Sequence, residues 1–433
     1  MANLHDVWEK TSKKFILRRF PLARVQRLAG NFGAFFKWVF FGVLMGAVAG
    51  GAGTLFYFCI AWVTGIRGGN PWLLYLLPLG GLMIVFSYRK LGAPHPQGTD
   101  LVIEAVRSPE PVPIKMAPLI FFATAVTHLL GGSAGREGAA LQLGGSLGYG
   151  IGHVFRLDEK DLHILTMSGM AACFSALFGT PITATVFVME VVTVGVMYYS
   201  ALVPCAAAAV VGACISRACG VPPTEFAIAG IPAVDWKPVF LVILLAVLCA
   251  LLSAFFCYFM RGTGKFLRWI QNPYARAAVG GALVILLVFP FGRDYLGMGG
   301  SVIAAAMKGH AAPEAFLLKL LFTAVTLGAG FRGGEIVPAF FVGATFGCAA
   351  GGMIGLNPSF GAAIGFMAVF CGVTNCPITA FILSMEVFGS RGAVYYLIAA
   401  AISYMLSGYT GIYSKQKILY SKLKPLYLGG QKE

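Results

Sequence analysis

The sequence predicts an all-α integral membrane protein made of two repeated halves, and three observations lead to this fold class. First, 58% of the 433 residues are hydrophobic and only 11% are charged, whereas soluble proteins carry about 25% charged residues. Second, the hydrophobic residues form many segments, several of them shorter than the ~20 residues that span a bilayer. Third, one motif occurs twice. Short, tilted or interrupted helices are therefore expected, and 56 glycines would allow close helix packing and breaks within the membrane.

The repeated motif divides the chain into two halves. Residues 179–191 read GTPITATVFVMEV and residues 375–387 read NCPITAFILSMEV, so a proline, a threonine and a glutamate recur 196 positions apart. A Gly-rich loop precedes each copy: GGSAGREGAALQLGG contains Glu137, and GAGFRGGEIVPAFFVG contains Glu335. Matched blocks in the same order indicate structural repeats, and transporters commonly build a site from broken helices where such repeats meet. The pattern is compatible with inverted repeats.

The two repeats are expected to cover residues 35–217 and 238–413, with a connecting loop at 218–237. Residues 1–34 would form a basic helix on the cytoplasmic surface, and residues 414–433 a basic cytoplasmic tail. Lysine and arginine crowd both ends of a chain whose net charge is +15, which the positive-inside rule explains better than nucleic-acid binding does. We therefore expect a multi-pass protein of the cell membrane, the inner membrane of a bacterium, with both termini in the cytoplasm.

Helix starts in the Gly-rich loops suit anion binding. The first turn of a helix exposes unpaired N–H groups with a partial positive charge, so it binds anions without a full cation. Glycine lets an ion approach the backbone closely. If the two halves face each other, the helix starts would converge on an anion near the midplane of the bilayer. Four starts have this character: Gly135–Gly138, Gly179–Pro181, Gly333–Pro338 and Asn375–Pro377.

Glu137 is the candidate for coupling an anion to a proton. Between Met116 and Phe155, Arg136 and Glu137 are the only aspartate, glutamate, lysine or arginine residues, and a charge in hydrocarbon costs several kcal/mol. A carboxylate at a helix N-terminus can occupy the place of the anion, and it can leave once it is protonated. Anion and proton would then compete for one position. The alternative is a helix-capping glutamate, paired with Arg136, that has no transport role.

Four motifs together resemble the CLC family of anion channels and proton-coupled anion antiporters. They are GREG at 135–138, GGEIVP at 333–338, FGTPI…ME at 178–190 and GIY at 411–413. The resemblance implies a homodimer with one pore per subunit, and it makes Glu137 the gating and proton-carrying glutamate. The residues expected to bind the anion are Gly98, Thr99, Arg136, Gly138, Gly334, Glu335, Ile336, Val337 and Tyr413.

Local departures from the chloride-transporting members resemble the fluoride/proton antiporter branch of that family. Residues 95–105 read HPQGTDLVIEA in place of a GSGIP-like motif, and Val191 stands where proton-coupled chloride exchangers have a second glutamate. Ile336 replaces a usual phenylalanine. The fluoride branch itself usually has methionine or asparagine at the place of Thr99, and some members have threonine at that of Val337. Despite these two differences from the fluoride branch, the departures from the chloride-transporting members lead us to predict fluoride/proton exchange. Chloride/proton exchange and a passive chloride channel are the alternatives.

The same sequence disfavours an enzyme and a cation transporter. A membrane enzyme would need clustered histidine or acidic residues, or a nucleophile beside a base, whereas the six histidines are scattered and no spacing fits a metal. A cation transporter would favour acidic residues within its spans. No cofactor is expected, and the expected partners are fluoride or chloride, protons, membrane lipid and a second copy of the chain.

Several other charged or polar residues within the apolar segments are expected to be structural. Glu190 and Glu386 occupy equivalent positions in the two repeats and should accept hydrogen bonds from loop N–H groups. Arg332 aligns loosely with Arg136, and both should bond carbonyl groups of broken helices. His128 is expected to be an interior histidine with satisfied partners.

Overall fold

The computed structural model describes residues 4–93, 98–108 and 111–429, with side chains from Gly30 onward. Within these residues the chain forms sixteen α-helices and one small sheet of two short strands. Seven helices are long and apolar enough to cross a membrane, and five further apolar helices are shorter. The predicted all-α membrane fold with helices of mixed length is therefore confirmed.

Each half contributes eight helices in matching order. In the first half these are α1 Leu4–Gly69, α2 Leu77–Lys90, α3 Asp100–Ala105, α4 Met116–Leu129, α5 Glu137–Val154, α6 Glu159–Phe178, α7 Pro181–Glu190 and α8 Leu202–Ala218. In the second half they are α9 Trp236–Leu267, α10 Pro273–Phe291, α11 Gly300–Met307, α12 Ala315–Gly328, α13 Ile336–Met353, α14 Pro358–Thr374, α15 Pro377–Phe388 and α16 Ala393–Leu406. The strands are β1 Thr193–Val194 and β2 Lys417–Ile418. Helices α4 and α12 each have 14 residues, and α5 and α13 each have 18.

Helix α1 is continuous from Leu4 to Gly69, so no helix break marks the expected boundary after residue 34. Within the part of α1 whose side chains are described, Gly30–Gly69 is long and apolar enough to cross a membrane. The side chains of residues 1–29 lie outside the described part of the structure. A basic helix on the cytoplasmic surface over residues 1–34 therefore stays a prediction.

Helices α6 and α14 form the buried centre of the two halves. All residues of α6 from Leu165 to Phe178 are buried, as are those of α14 from Ser359 to Thr374. Helix α6 packs against α1, α5 and α8, and α14 packs in the same way against the corresponding α9, α13 and α16. Because α5 and α13 lie directly on these central helices, the N-termini of α5 and α13 are held deep inside the protein.

Reciprocal hydrogen bonds relate the two halves by a pseudo-twofold axis. The hydroxyl oxygen of Thr326 accepts the N–H of Ser133 (3.1 Å), and that of Thr127 accepts the N–H of Arg332 (3.3 Å). A threonine of each half thus binds the loop of the other half, and such a reciprocal pair of contacts is what twofold symmetry produces. The paired positions lie 199 residues apart, so Arg332 corresponds to Ser133, and the loose alignment of Arg332 with Arg136 is wrong.

A second reciprocal pair closes the starts of α7 and α15. The carboxylate of Glu386 accepts the N–H groups of Ile182 (3.1 Å) and Thr183 (2.7 Å) at the start of α7. The carboxylate of Glu190 accepts the N–H of Ile378 (3.1 Å) and both the N–H (2.8 Å) and the hydroxyl (2.5 Å) of Thr379 at the start of α15. The expectation that these glutamates bond N–H groups is confirmed.

The expected convergence of four helix starts on one anion is therefore wrong for two of them. The starts at Gly179–Pro181 and Asn375–Pro377 already have a carboxylate from the opposite half on their N–H groups. A bound carboxylate satisfies the donors and compensates the partial positive charge of the helix start. Only the starts of α5 and α13 remain as candidates among the four.

Glu190→Gln is expected to lower the stability of the protein. The amide group would turn an N–H₂ toward a backbone N–H at the buried start of α15, and leaving a buried donor unsatisfied costs about 1–3 kcal/mol. The apparent melting temperature in detergent would report the loss. Glu225→Gln is the matched control because Glu225 is exposed. A Glu190→Gln protein that melts at the parental temperature would rule out a stabilising cap.

The residues after the second half are folded against the membrane domain. Strand β2 pairs in parallel with β1, and Thr193 is opposite Lys417. The side-chain amide of Gln416 donates to the carbonyl oxygens of Val191 and Thr374, both at 2.9 Å. These bonds tie the C-terminal segment to the ends of α7 and α14, which places Tyr413 inside the protein.

Candidate functional site

The two Gly-rich loops meet backbone to backbone at the starts of α5 and α13. Gly135 and Gly334 exchange two N–H···O bonds of 2.8 Å, an isolated antiparallel bridge between the two halves. A Cβ atom on Gly334 would lie 2.5 Å from the amide nitrogen of Gly138, and one on Gly333 would lie 2.5 Å from the Cβ of Ala134. Glycine is required here because any side chain would push the two helix starts apart.

Glu137 is the first residue of α5, and its carboxylate folds back over the start of that helix. The side chain is almost completely buried, with 2% of the residue exposed. Its Oε2 accepts the backbone N–H of Arg136 at 2.9 Å, and its Oε1 lies 3.6 Å from the Nε of the same arginine. The carboxylate thus occupies a backbone donor that an anion at this helix start would use.

Contrary to the expectation, the side chains of Arg136 and Arg332 form no hydrogen bond to a helix carbonyl within the described part of the chain. The guanidinium of Arg136 lies 4.5 Å from the ring centre of Tyr57, and that of Arg332 lies 5.0 Å from the ring centre of Tyr88. The Nε atoms of both arginines are buried without a hydrogen-bond partner among the described residues. Cation–π contact with a tyrosine face stabilises both charges, and Arg136 also forms an ion pair with Glu137.

The start of α3 lies beside the start of α5. The hydroxyl of Thr99, which is 6% exposed, donates to the carbonyl oxygen of Gly138 at 3.3 Å. Gly98 has a φ of +66°, a left-handed conformation that glycine adopts without strain. The structure therefore brings Gly98 and Thr99 next to Glu137 and Gly138, although they are about 40 residues apart in the chain.

Tyr413 reaches the same region through the residues that follow it. The carboxylate of Asp100, the first residue of α3, accepts the N–H groups of Ser414 and Lys415, both at 3.2 Å. Tyr413 is 4% exposed, and its hydroxyl has no hydrogen-bond partner among the described residues. A buried hydroxyl without a partner costs free energy and calls for an explanation, and a ligand that it contacts is one.

The start of α13 completes the region opposite α5. Glu335 is the N-cap residue of α13 and is half-buried, whereas Ile336 and Val337 are 1% and 7% exposed. A Cβ on Gly135 would lie 3.0 Å from the Cβ of Val337, so the side chain of Val337 lies close to the loop that precedes Glu137. The structure thus assembles all the sequence-predicted site residues from four segments. Their roles toward an anion remain predictions.

Sequence reasoning missed two cations near this region, the half-buried Arg67 and the fully buried Lys319. Arg67, near the end of α1, donates to the carbonyl oxygen of His128 (3.0 Å), and the Nε2 of His128 lies 3.4 Å from the carbonyl oxygen of Gly135. Lys319 in α12 is 0% exposed and donates to two backbone carbonyls. A single lysine within the apolar segment 315–328 was the available signal for Lys319.

The protein consists of two pseudo-symmetric halves of short and long helices, and the broken segments present backbone amides to a buried centre. This architecture is typical of an integral membrane transport protein. Comparison with known proteins gives the family. Residues 80–408 match the profile of the voltage gated chloride channel family, which is most of the chain. The chain therefore belongs to this family, and the predicted membership of the CLC family is confirmed.

Individual relatives resemble the chain over nearly its whole length. A protein of Pseudomonas syringae pv. tomato described as a chloride/fluoride channel protein is 36% identical over 395 residues, 89% of this chain and 87% of the relative. The crystal structure of a CLC-type fluoride/proton antiporter superposes with a TM-score of 0.85 at 29% identity, covering 88% of this chain and 98% of the other. A slow cyanobacterial Cl⁻/H⁺ antiporter shares the fold at 19% identity and a TM-score of 0.71, covering 88% and 96%.

Proposed function

We propose that the protein exchanges fluoride for protons across the membrane and that Glu137 couples the two movements. The observation that carries this proposal is the position of the Glu137 carboxylate. It is buried at the meeting point of the two halves and accepts a backbone N–H at the start of α5. An anion binding at that helix start displaces the carboxylate, and protonation of the carboxylate releases the donor. One position therefore serves both ions in turn.

The donors around this position suit a small, strongly hydrated anion. Fluoride gives up its hydration only when several donors approach it closely, and backbone N–H groups between glycines allow such approach. The hydroxyls of Thr99 and Tyr413 add two donors that can rotate toward the ion. A protonated Glu137 can itself donate to fluoride, which gives the proton and the anion a shared route. Arg136, Gly138 and the loop of Gly334, Glu335, Ile336 and Val337 would frame the anion.

Similar proteins and one substitution support the choice of fluoride and of antiport. The Pseudomonas relative is described as a chloride/fluoride channel protein, and the solved structure with a TM-score of 0.85 as a fluoride/proton antiporter. Val191 follows Glu190 where chloride exchangers of the family have a second glutamate, and Val191 is fully buried. A valine cannot carry a proton, so this chain lacks the acidic residue that would relay protons at this position in a chloride exchanger.

The description of the Pseudomonas relative also favours a second candidate, a passive channel for chloride or fluoride. In a channel the carboxylate of Glu137 would only gate the path, and no proton would move against the anion. Chloride/proton exchange is the remaining alternative, since the cyanobacterial antiporter shares the fold. Further parts of the proposal are a homodimer, a bacterial inner-membrane location and cytoplasmic termini.

Reconstituted liposomes test the function directly. We expect a pH gradient, imposed at equal fluoride concentration on both sides, to drive fluoride movement that a fluoride electrode records, while protons move in the opposite direction. Chloride in place of fluoride should give a much smaller flux. A fluoride gradient that drives fluoride flux with no proton counterflow, while a pH gradient alone drives none, would reject antiport in favour of a channel, and a larger chloride flux would reject fluoride as the substrate.

A further inference from the structure

One face of α12 carries a buried polar stripe, defined here as Lys319, Thr323 and Thr326. Their spacing of four and three residues places them on one face of a helix. Each is 0% exposed, although α12 is otherwise apolar. Polar side chains are costly inside a membrane protein and are usually kept for a function or a defined partner. The two threonines of the stripe contact Ser133 in residues 131–136, a segment called here the gating loop, which leads directly into Glu137.

Two threonines of the stripe bind Ser133 in that segment. The hydroxyl of Thr326 accepts the N–H of Ser133 at 3.1 Å, and the hydroxyl of Thr323 lies 3.0 Å from that of Ser133. Ser133 is 0% exposed, so water does not compete for these bonds. The threonines therefore fix the backbone of the gating loop four residues before Glu137.

Lys319 holds the same segment through one intermediate loop. Its ammonium group donates to the carbonyl oxygens of Gly297 (2.6 Å) and Tyr295 (3.1 Å) and lies 5.2 Å from the ring centre of Phe341. The N–H of Gly297 in turn donates to the carbonyl oxygen of Gly132 (3.2 Å). The charge of Lys319 thus fixes the loop that abuts the gating loop.

Two cations meet at this loop without an anionic partner. A Cβ on Gly297 would lie 2.7 Å from a guanidinium nitrogen of Arg67, so Arg67 reaches the loop that Lys319 holds. Among the ion pairs of the described residues, neither cation has a carboxylate within salt-bridge distance. Two cationic side chains therefore lie against the loop whose Gly297 N–H binds the segment that leads to Glu137.

The fold does not need a lysine at this position. The pseudo-symmetric counterpart, 199 positions earlier, is Ile120, which is 1% exposed in the equivalent helix α4. The counterpart of Glu137 in the second half is Ile336. Neither Lys319 nor Glu137 therefore has an ionisable counterpart in the other half. Lys319 in the second half supports the loop that carries Glu137 in the first half.

We propose that Lys319 is a positioning residue for Glu137. Through Gly297 and Gly132 it holds the gating loop so that the carboxylate returns to the start of α5 in each transport cycle. Without it, the carboxylate occupies that place less often, and anions pass without the exchange of a proton. The inference rests on the proposed function, because it assigns Lys319 a part in the coupling by Glu137.

The test is the ratio of protons to fluoride ions that Lys319→Met moves in liposomes. We expect this ratio to fall by about twofold or more with fluoride flux retained, since losing a charge-assisted hydrogen bond shifts a two-state population by roughly tenfold. A merely structural lysine would lower the number of active molecules and leave the ratio of the remaining ones unchanged. Lys308→Met is the control for charge, because Lys308 is exposed.

A second variant tests the inference independently if Lys319→Met folds poorly. Thr323→Val/Thr326→Val keeps the volume of both side chains and removes the hydroxyls that bind Ser133, so its ratio should fall in the same direction. Thr345→Val is the matched control, because the hydroxyl of Thr345 bonds only carbonyls of its own helix. In the Glu137→Gln background, Lys319→Met should produce no further change in proton movement.

The outcomes separate this inference from the proposed function. Coupled transport by the parent protein, with the parental ratio kept in both Lys319→Met and the threonine double variant, overturns the positioning role alone. Fluoride flux through the parent protein with no proton counterflow overturns the proposed function, and the positioning role falls with it. A reduced ratio in the stripe variants and a parental ratio in both controls supports the inference.

Discussion

Glu137→Gln is expected to abolish proton movement driven by a fluoride gradient. Glutamine cannot bind and release a proton, and its amide carries no charge that competes with an anion. Removal of a positioned acid–base group costs about 10²- to 10⁴-fold in catalysis, and we expect proton flux to fall by at least about 10²-fold on the same scale. Fluoride flux, measured in the same liposomes with an electrode, should persist as uncoupled movement.

This variant also separates the gating role from simple helix capping. The carbonyl oxygen of a glutamine can still accept the N–H of Arg136, which Glu137 accepts at 2.9 Å, so a cap would be retained at small cost in stability. Loss of proton flux with a nearly parental melting temperature therefore identifies coupling. Glu314→Gln removes an exposed carboxylate and should leave both fluxes unchanged. Full proton coupling in Glu137→Gln would refute the role assigned to this carboxylate.

Gly144→Ala is expected to have the largest effect on the fold. Gly144 of α5 faces Gly169 of α6, and a Cβ on Gly144 would lie 2.1 Å from the carbonyl oxygen of Gly169. The same arrangement recurs in α13 and α14, where a Cβ on Gly365 would lie 2.1 Å from the carbonyl oxygen of Gly343. Small residues let membrane helices approach at such backbone-to-backbone contacts.

The clash at Gly144 cannot relax through a change of rotamer, because the atoms that collide belong to the backbone. Helix α5 would have to move away from the central helix α6, and it carries Glu137 at its start. We expect a loss of about 3 kcal/mol or more, at the upper end of overpacking effects, seen as a fall in apparent melting temperature and in the yield of monodisperse protein. Fluoride flux per folded protein should fall as well.

Gly51→Ala is the matched control for this change. Gly51 lies inside the membrane-crossing part of α1, and a Cβ there would meet nothing within 4 Å. Alanine favours a helix over glycine by about 1 kcal/mol, so Gly51→Ala should be neutral or slightly stabilising. Equal melting temperatures for the two variants would argue against the close contact of α5 with α6.

Much of the candidate site was predictable from the sequence because its key residues depend on local chemistry. The only two charges in an apolar segment mark Arg136 and Glu137, and Gly-rich loops before apolar helices mark the starts of α5 and α13. What failed was the assumption that all four helix starts are open. Glu190 and Glu386 each cap a helix of the opposite half, and a contact between residues almost 200 positions apart leaves no local pattern in the chain.

By itself the sequence determined the membrane class, the two repeats and the identity of the buried carboxylate, because hydrophobicity, repetition and an isolated charge are properties of the chain alone. Only the tertiary structure decided which amides are free, how the two loops exchange hydrogen bonds at Gly135 and Gly334, and that Lys319 is connected to the loop of Glu137 through Gly297. The physical reason is that hydrogen bonds between the two halves depend on distances of about 3 Å. Those distances are set by the packing of α5, α6, α13 and α14, to which residues far apart in the chain contribute together.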